Sequence, residues 1–216
     1  MPFTAHQFFE IFARYNTGVW PAQVVLTALA LSVIVLVIRS RPTHGRWIAA
    51  VLAVLWGWMA LAYHFAYFAS INPAAWLFGA LSLVGALWFA WVGVGKGQLH
   101  FALSHGVRSW VGAALVVFAL GVYPLLGYLL GHRYPAVPTF GLPCPTTIFT
   151  IGVLLFAKAP VPRTVFIVPV LWALVGSTAA FALGVYQDLG LLVAGVVAVI
   201  AMIRPPTLSK SPTAPA

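Results

Sequence analysis

The chain has 216 residues, of which 62% are hydrophobic and 6% are charged, and its net charge is +9. About a quarter of the residues of a soluble domain are charged, so this composition excludes an ordinary soluble domain and indicates an all-α, polytopic protein embedded in a lipid bilayer. The excess of Lys and Arg does not indicate nucleic-acid binding, because these residues fall in loops between apolar runs, where they orient a membrane protein.

Residues 1–16 are predicted to form an amphipathic helix that lies in the membrane interface. Four apolar residues recur at helical spacing along one face: Phe8, Ile11, Phe12 and Tyr15. Thr4 and Gln7 have the spacing of a capping box. Glu10 and Arg14 are expected to pair one helical turn apart.

Residues 17–204 are predicted to form the membrane domain, a bundle of about seven spans. The uncharged apolar stretches lie near residues 18–38, 47–68, 74–94, 109–131, 146–158, 164–184 and 189–203. The fifth stretch is shorter than the roughly 20 residues that a span needs. The last two stretches are expected to form a hairpin that turns near residues 184–190. Residues 205–216 are rich in Pro, Ser and Thr, which predicts a disordered cytoplasmic tail.

The basic residues separate strongly between the two sides that seven spans would create. One side receives nine of them: Arg39, Arg41, Arg46, Lys96, Arg108, Lys158, Arg163, Arg204 and Lys210. The other side receives only Arg14 and Arg133. Because cytoplasmic loops carry the excess of Lys and Arg, this distribution predicts an N-terminus outside and a C-terminus in the cytoplasm.

The only cysteine, Cys144, lies between two prolines at the start of the fifth span. A helix can begin at Pro145, since the first turn leaves its N–H groups free. Cys144 would then be the N-cap, and Thr146 and Thr147 would help to satisfy free amides. Irregular backbone at membrane depth must be buried in protein or line a cavity. We therefore predict a polar outer pocket with Cys144 on its wall, and the alternative is a tightly packed Pro-Cys-Pro cap.

Further polar residues are expected on the same outer side, where they complete a candidate substrate-binding set. This set contains Cys144, Thr146, Thr147, His64, His132, Arg133 and Asp188. Ionisable groups at membrane depth are costly and are functional candidates. Asp188 is expected just inside the outer boundary, paired with Arg133 or, failing that, with Arg14.

Metal binding stays open in the sequence, because Cys144, His64 and His132 have the soft donor atoms that copper(I), zinc or mercury(II) accept. These residues are scattered, without a CxxC or HxxxH pair, so no metal ligand is assigned. The chain also lacks a glycine-rich phosphate loop and a nucleophile elbow. No catalytic residue or cofactor is therefore predicted, and an enzyme is not favoured.

Three segments resemble those of a bacterial family of small multi-span proteins of unknown function, whose members are often labelled transporter permeases. These segments are Phe8-Phe9-Glu10 through Asn16 and Trp20-Pro21, then Asn72-Pro73-Ala74-Ala75, and Pro143-Cys144-Pro145-Thr146-Thr147-Ile148-Phe149-Thr150. The resemblance covers nearly the whole chain. It implies a protein of the bacterial inner membrane, and it brings no substrate, cofactor or catalytic residue.

Three functions remain open at this stage. The first is a small permease for a small-molecule substrate, since spans one to three and five to seven would have the same orientation around span four, as in parallel-repeat transporters. The second is a sensor or binding protein for a metal or a thiol-reactive compound at Cys144. The third is an accessory subunit that packs against a partner, and a homo-oligomer is also compatible with the sequence.

Overall fold

The computed structural model describes residues 2–204, which form an all-helical bundle without β-strands. The predicted tail, residues 205–216, lies outside the described part of the chain. The α-helices are α1 Ala5–Gly18, α2 Ala22–Arg39, α3 His44–Trp58, α4 Ala75–Phe89, α5 Val107–Val117, α6 Tyr123–Leu129, α7 Pro143–Leu154, α8 Ile167–Gly176, α9 Thr178–Ala182 and α10 Leu189–Ile203. Shorter helical segments are the π-helices Met59–Phe65, Ala90–Gly95 and Phe118–Val122 and the 3-10 helices Phe68–Ser70, Arg163–Phe166 and Tyr186–Asp188.

Six continuous helical stretches are long and apolar enough to cross a membrane. They are Ala22–Arg39, His44–Ser70, Ala75–Gly95, Val107–Leu129, Arg163–Ala182 and Tyr186–Ile203, and they lie within a few residues of six of the predicted stretches. Large apolar side chains on these helices are exposed, among them Leu77 at 70% and Trp110 at 69%. An exposed apolar surface of this extent indicates contact with a membrane or with another protein. The chain thus has the length pattern and the surface of a helical membrane protein.

The seventh apolar helix, α7, is the buried centre of the bundle. Every residue of this helix is buried except Cys144, which is partly buried. Helices α3, α5, α8 and α10 all pack against it. Its 12 residues correspond to about 18 Å of helix, well short of the roughly 30 Å thickness of a bilayer core. Irregular segments adjoin it at both ends.

The start of α7 corrects the prediction made from the Pro-Cys-Pro segment. The helix begins at Pro143, and its N-cap is Leu142 instead of Cys144. Both Pro143 and Pro145 fit into the first turn, because N–H groups there have no partner within the helix. The Thr146 hydroxyl instead accepts a hydrogen bond from the N–H of Gly141 at 3.2 Å. The helix therefore starts one residue before the cysteine.

Helix α1 covers one end of the bundle, which we call the α1 end. The capping box is confirmed, because Gln7 N–H donates to Thr4 Oγ1 and Thr4 N–H donates to Gln7 Oε1. The predicted apolar face is also confirmed, since all four of its residues are buried: Phe8, Ile11, Phe12 and Tyr15. Glu10 does not pair with Arg14; its carboxylate lies 4.0 Å from His6 Nδ1 on the exposed face.

The irregular segment at the α1 end, residues 130–142, is held by one buried side chain. Asn16, at the end of α1, donates to the carbonyls of Pro135 at 2.7 Å and Val137 at 2.8 Å. Its amide oxygen accepts a hydrogen bond from the Thr139 hydroxyl at 2.7 Å. A non-helical segment at membrane depth needs protein partners for its backbone, and Asn16 provides them.

The opposite end of the bundle, which we call the basic end, contains residues 40–43, 96–106 and 155–162. Here backbone groups satisfy one another: Lys158 N–H donates to His100 O at 2.8 Å and Ala102 N–H donates to Phe156 O at 3.1 Å. The Arg108 side chain donates to Leu155 O at 3.1 Å. This end therefore joins three loops that carry Arg and Lys.

The last two long helices form a hairpin that turns within residues 183–188. Gly184 has a φ of 72° in this turn, a conformation that glycine adopts without a steric penalty. Helix α10 then packs back against α8. Helix α2 packs along α3 at the edge of the bundle, whereas α7 lies in its centre.

Candidate functional site

A cavity of about 280 Å³ lies at the α1 end, between α1, α7, α8 and the 3-10 turn Tyr186–Asp188. We call it the α1-end cavity. Eight aromatic side chains line it: Phe3, Phe8, Phe12, Tyr63, Phe68, Phe78, Tyr123 and Trp172. The polar side chains on its wall are Asn72, Cys144, Thr178 and Asp188. The cavity is thus mainly aromatic and apolar, whereas the sequence predicted a polar pocket.

Asp188 is buried on the wall of the cavity, with 2% of its surface exposed. It closes the 3-10 turn and directly precedes α10, so the turn and the helix together fix its position. The Tyr123 hydroxyl donates a hydrogen bond to Asp188 Oδ1 at 2.6 Å. Over residues 2–204 the carboxylate forms no ion pair, and the expected pairing with Arg133 or Arg14 is wrong.

Cys144 occupies the second position of α7 and lines the cavity together with Pro143 and Pro145. Its thiol lies close to the Asp188 carboxyl and to the Trp172 indole. The indole Nε1 nevertheless has no hydrogen-bond partner of good geometry in the described residues. A thiol, a carboxyl and an indole N–H from three separate segments therefore face one small space.

His64 lies behind the wall of the cavity, within the π-helical segment Met59–Phe65. It is fully buried, and its ring lies edge-on to that of Trp172, at 5.0 Å between centroids and an interplanar angle of 62°. Neither ring nitrogen has a hydrogen-bond partner in the part of the chain that the structure describes. A buried polar group without a partner is costly, and π-helical turns are frequent at functional sites.

The other predicted site residues lie away from the cavity. Thr146 and Thr147 are buried within α7, where Thr146 binds the backbone of Gly141. His132 packs on the ring of Phe9 at 4.4 Å between centroids, and partial burial lowers the pKa of its imidazole. Arg133 lies over the Tyr128 ring at 3.5 Å. Of the predicted set, the structure brings only Cys144 and Asp188 to one cavity, with His64 just behind its wall.

The described residues do not offer the ligands of a metal centre. No group of three His, Cys, Asp or Glu side chains able to hold a metal ion occurs within residues 2–204. His132 is separated from Cys144 because it stacks on the outer side of α1. The scattered soft ligands that the sequence suggested are therefore not assembled here.

Two residues of the cavity were missed in the sequence. Trp172 falls near the middle of the stretch Arg163–Ala182, whereas tryptophan in membrane helices is enriched at the two interfaces. Tyr123 precedes Pro124 inside a long apolar stretch, where its hydroxyl needs a partner. Both positions were unusual enough to mark a buried polar contact. Asn16 had no such signal, since it lies in the last turns of the amphipathic helix, where a polar residue is ordinary.

These features define a class: an all-helical membrane protein whose short central helix opens on an aromatic cavity with one buried carboxyl. The chain belongs to a family of unknown function, DUF6064, whose model matches residues 5–211. The match agrees with the resemblance to an uncharacterised family. Comparison with curated proteins and with solved structures found no match.

Proposed function

We propose that this chain is a small permease of the bacterial inner membrane that binds a small molecule in the α1-end cavity. The observation that carries the proposal is the convergence of Cys144, Tyr123, Trp172 and Asp188, from four separate helices or turns, on one space of about 280 Å³. Ligand pockets are commonly apolar and aromatic with a few polar groups that orient the ligand. A buried carboxyl inside a membrane protein is functional by default.

The backbone geometry around the cavity favours a transporter over a protein that only binds a ligand. Discontinuous helices flanked by irregular segments form the substrate sites of many transporters, and α7 is a short helix of this kind. The π-helical segments Met59–Phe65 and Phe118–Val122 precede or contain cavity residues. Pro124 explains the second of these, because it removes one N–H from the regular helical pattern.

The proposal includes a topology of seven crossings, with α7 as the short one and the α1 end facing outward. Its support is the nine-to-two distribution of basic residues under the rule that Lys and Arg stay in the cytoplasm. A Lys96→Cys substitution in a Cys144→Ser background tests it. An impermeant thiol reagent should leave this cysteine unmodified in intact cells and modify it after lysis. Ready modification in intact cells would overturn the orientation.

The permease proposal is tested by access to Cys144 from both sides. Cys144 is the only cysteine of the chain, so the native protein needs no background substitution. The probe is an impermeant, trimethylammonium-bearing methanethiosulfonate, applied to right-side-out and to inside-out membrane vesicles. We expect modification from both sides, since a transporter exposes its site alternately to each side. Cys144→Ser is the control for labelling at other groups.

Each result has a distinct meaning for the proposal. Modification only from the outer side would contradict a permease and favour a binding protein or sensor. Reaction only after denaturation would mean that the thiol is packed away, and the cavity would then have no ligand role. Stable co-purification of a second protein together with an unreactive Cys144 would favour the accessory-subunit hypothesis.

A further inference from the structure

The charge of the α1-end cavity is opposite to the charge of the protein. The chain has eleven Lys and Arg but only two acids, and one of these acids, Asp188, is buried on the cavity wall. No Lys, Arg or His side chain of residues 2–204 lines the cavity. Burying a carboxylate without a cationic partner is costly. The lining of the cavity therefore lacks the positive charge that would balance Asp188.

Two features of the fold stabilise the carboxylate only in part. The Tyr123 hydroxyl donates one short hydrogen bond at 2.6 Å. Asp188 also lies at the N-terminus of α10, a helix of 15 residues, where the helix dipole favours negative charge. Neither group carries a full positive charge. A cationic ligand would supply the counter-ion that the protein itself does not place there.

The remaining wall of the cavity suits the apolar body and the charge of such a ligand. Aromatic faces attract ammonium groups, most strongly where water is excluded. Trp172 is the best such ring chemically, and it lies beside Cys144, whose thiol is also close to the Asp188 carboxyl. Phe8 and Phe12 of α1 also line the cavity. An inorganic divalent cation would need several oxygen ligands, which this lining does not provide.

We infer that the ligand of the α1-end cavity is a compact organic cation, an ammonium or protonated amine with an apolar body. Its charged group binds between the Asp188 carboxylate and the Trp172 ring, and its apolar part fills the aromatic space. The volume of about 280 Å³ is just below the range for small-molecule pockets, which begins at about 300 Å³, and so limits the ligand to a small one. This inference rests on the proposed function of the cavity as a ligand site.

The test measures how well three small probes of similar shape protect Cys144. The probes are benzyltrimethylammonium, its uncharged isostere neopentylbenzene, and the anion phenylacetate. The purified full-length protein is treated with N-ethylmaleimide, a neutral thiol reagent, and the rate of Cys144 modification is followed by mass spectrometry. We expect benzyltrimethylammonium to protect at a concentration at least about tenfold below that of the isostere, since a desolvated cation–π contact and an ion pair both add to its affinity.

The matched variant is Asp188→Asn, which keeps the shape of the side chain and an acceptor for Tyr123 but removes the charge. We expect the advantage of the cation over the isostere to fall by about tenfold, with protection by the isostere unchanged. The thermal unfolding temperature of the variant is measured alongside, to show that it is folded.

A second measurement needs no variant and therefore does not depend on its folding. Native protein is treated with methanethiosulfonates that carry either a trimethylammonium or a sulfonate group. The cationic reagent should modify Cys144 faster, by about tenfold more than the ratio found for the same protein in denaturant.

The outcomes separate this inference from the proposed function. Equal protection by the cation and its isostere, or a reagent ratio equal to that in denaturant, would overturn the cationic ligand and leave a cavity that binds neutral molecules. A preference for phenylacetate would overturn it as well. Failure of N-ethylmaleimide to reach Cys144 in folded protein would contradict the ligand site itself, and the inference with it.

Discussion

The two ends of the short central helix α7 are completed in different ways. At the α1 end, the carbonyls of Pro135 and Val137 are bound by the side chain of Asn16, and a cavity remains between α1 and the bundle. At the basic end, the chain after α7 pairs with residues 100–102 through backbone hydrogen bonds. A side chain thus supplies the hydrogen-bond partners at one end of α7, whereas backbone groups pair with one another at the other end.

The close contacts of α7 also differ between its two ends. At the basic half of α7, Gly152 faces Gly112 of α5, and a Cβ on Gly152 would lie 2.9 Å from Gly112 O. At the α1 end of α7, Cys144 instead lines the cavity. Close helix contacts through small residues are typical of membrane bundles. The molecule therefore has a close helix contact along the basic half of α7 and an aromatic cavity beside its α1 end.

The largest effect is expected from removing the hydrogen bonds of Asn16 at the α1 end. Asn16→Ala removes the partners of Pro135 O, Val137 O and the Thr139 hydroxyl, and we expect a loss of about 3 kcal/mol in stability because buried acceptors are left unsatisfied. Hydrogen exchange in residues 130–142 should rise, and N-ethylmaleimide should modify Cys144 faster. Thr139→Val, which removes a single hydrogen bond, is the matched control and should cost about 1 kcal/mol. Unchanged exchange in Asn16→Ala would show that the segment is held by other contacts.

Alkaline pH is expected to weaken the docking of α1. Tyr15 is fully buried and accepts a hydrogen bond from Trp58 Nε1 at 2.7 Å, and burial raises the pKa of its phenol to about 12. An unfolded tyrosine ionises near pH 10, so the stability that this group contributes is complete below about pH 10. It is lost between about pH 10 and 12, by up to about 2.7 kcal/mol. Thermal unfolding measured over this pH range should show the loss, and Tyr15→Phe should have a shallower pH dependence; an equal slope in both proteins would contradict this role.

A smaller loss is expected from adding a methyl group at the close-packed end. Gly152→Ala places a Cβ against Gly112 O and the side chains of Val116 and Leu115, and overpacking of this kind costs about 2 kcal/mol. Gly121→Ala is the matched control, because nothing lies within 4 Å of the added Cβ. Unfolding temperatures in one detergent should fall for the first variant only. Equal values for the two variants would mean that the α5–α7 contact is looser than the structure indicates.

Local patterns in the sequence determined the class and much of the helical framework. The apolar stretches, the reversal between residues 164 and 203, and the capped amphipathic helix α1 follow from hydropathy, spacing and capping residues, each of which acts over a few turns of chain. The prediction failed for the start of α7, where two prolines fit the first helical turn as well as they fit an extended segment.

Only the tertiary structure decided which polar groups meet. Asp188 was expected beside Arg133 because both were assigned to the outer side, but its partner is Tyr123, 65 residues away in the chain. Hydropathy defines how deep a residue lies along a span and contains little information about the rotation of one helix against another. That rotation is set by side-chain packing between helices, and it brought Cys144, Trp172 and Asp188 to one cavity while it turned His132 toward Phe9.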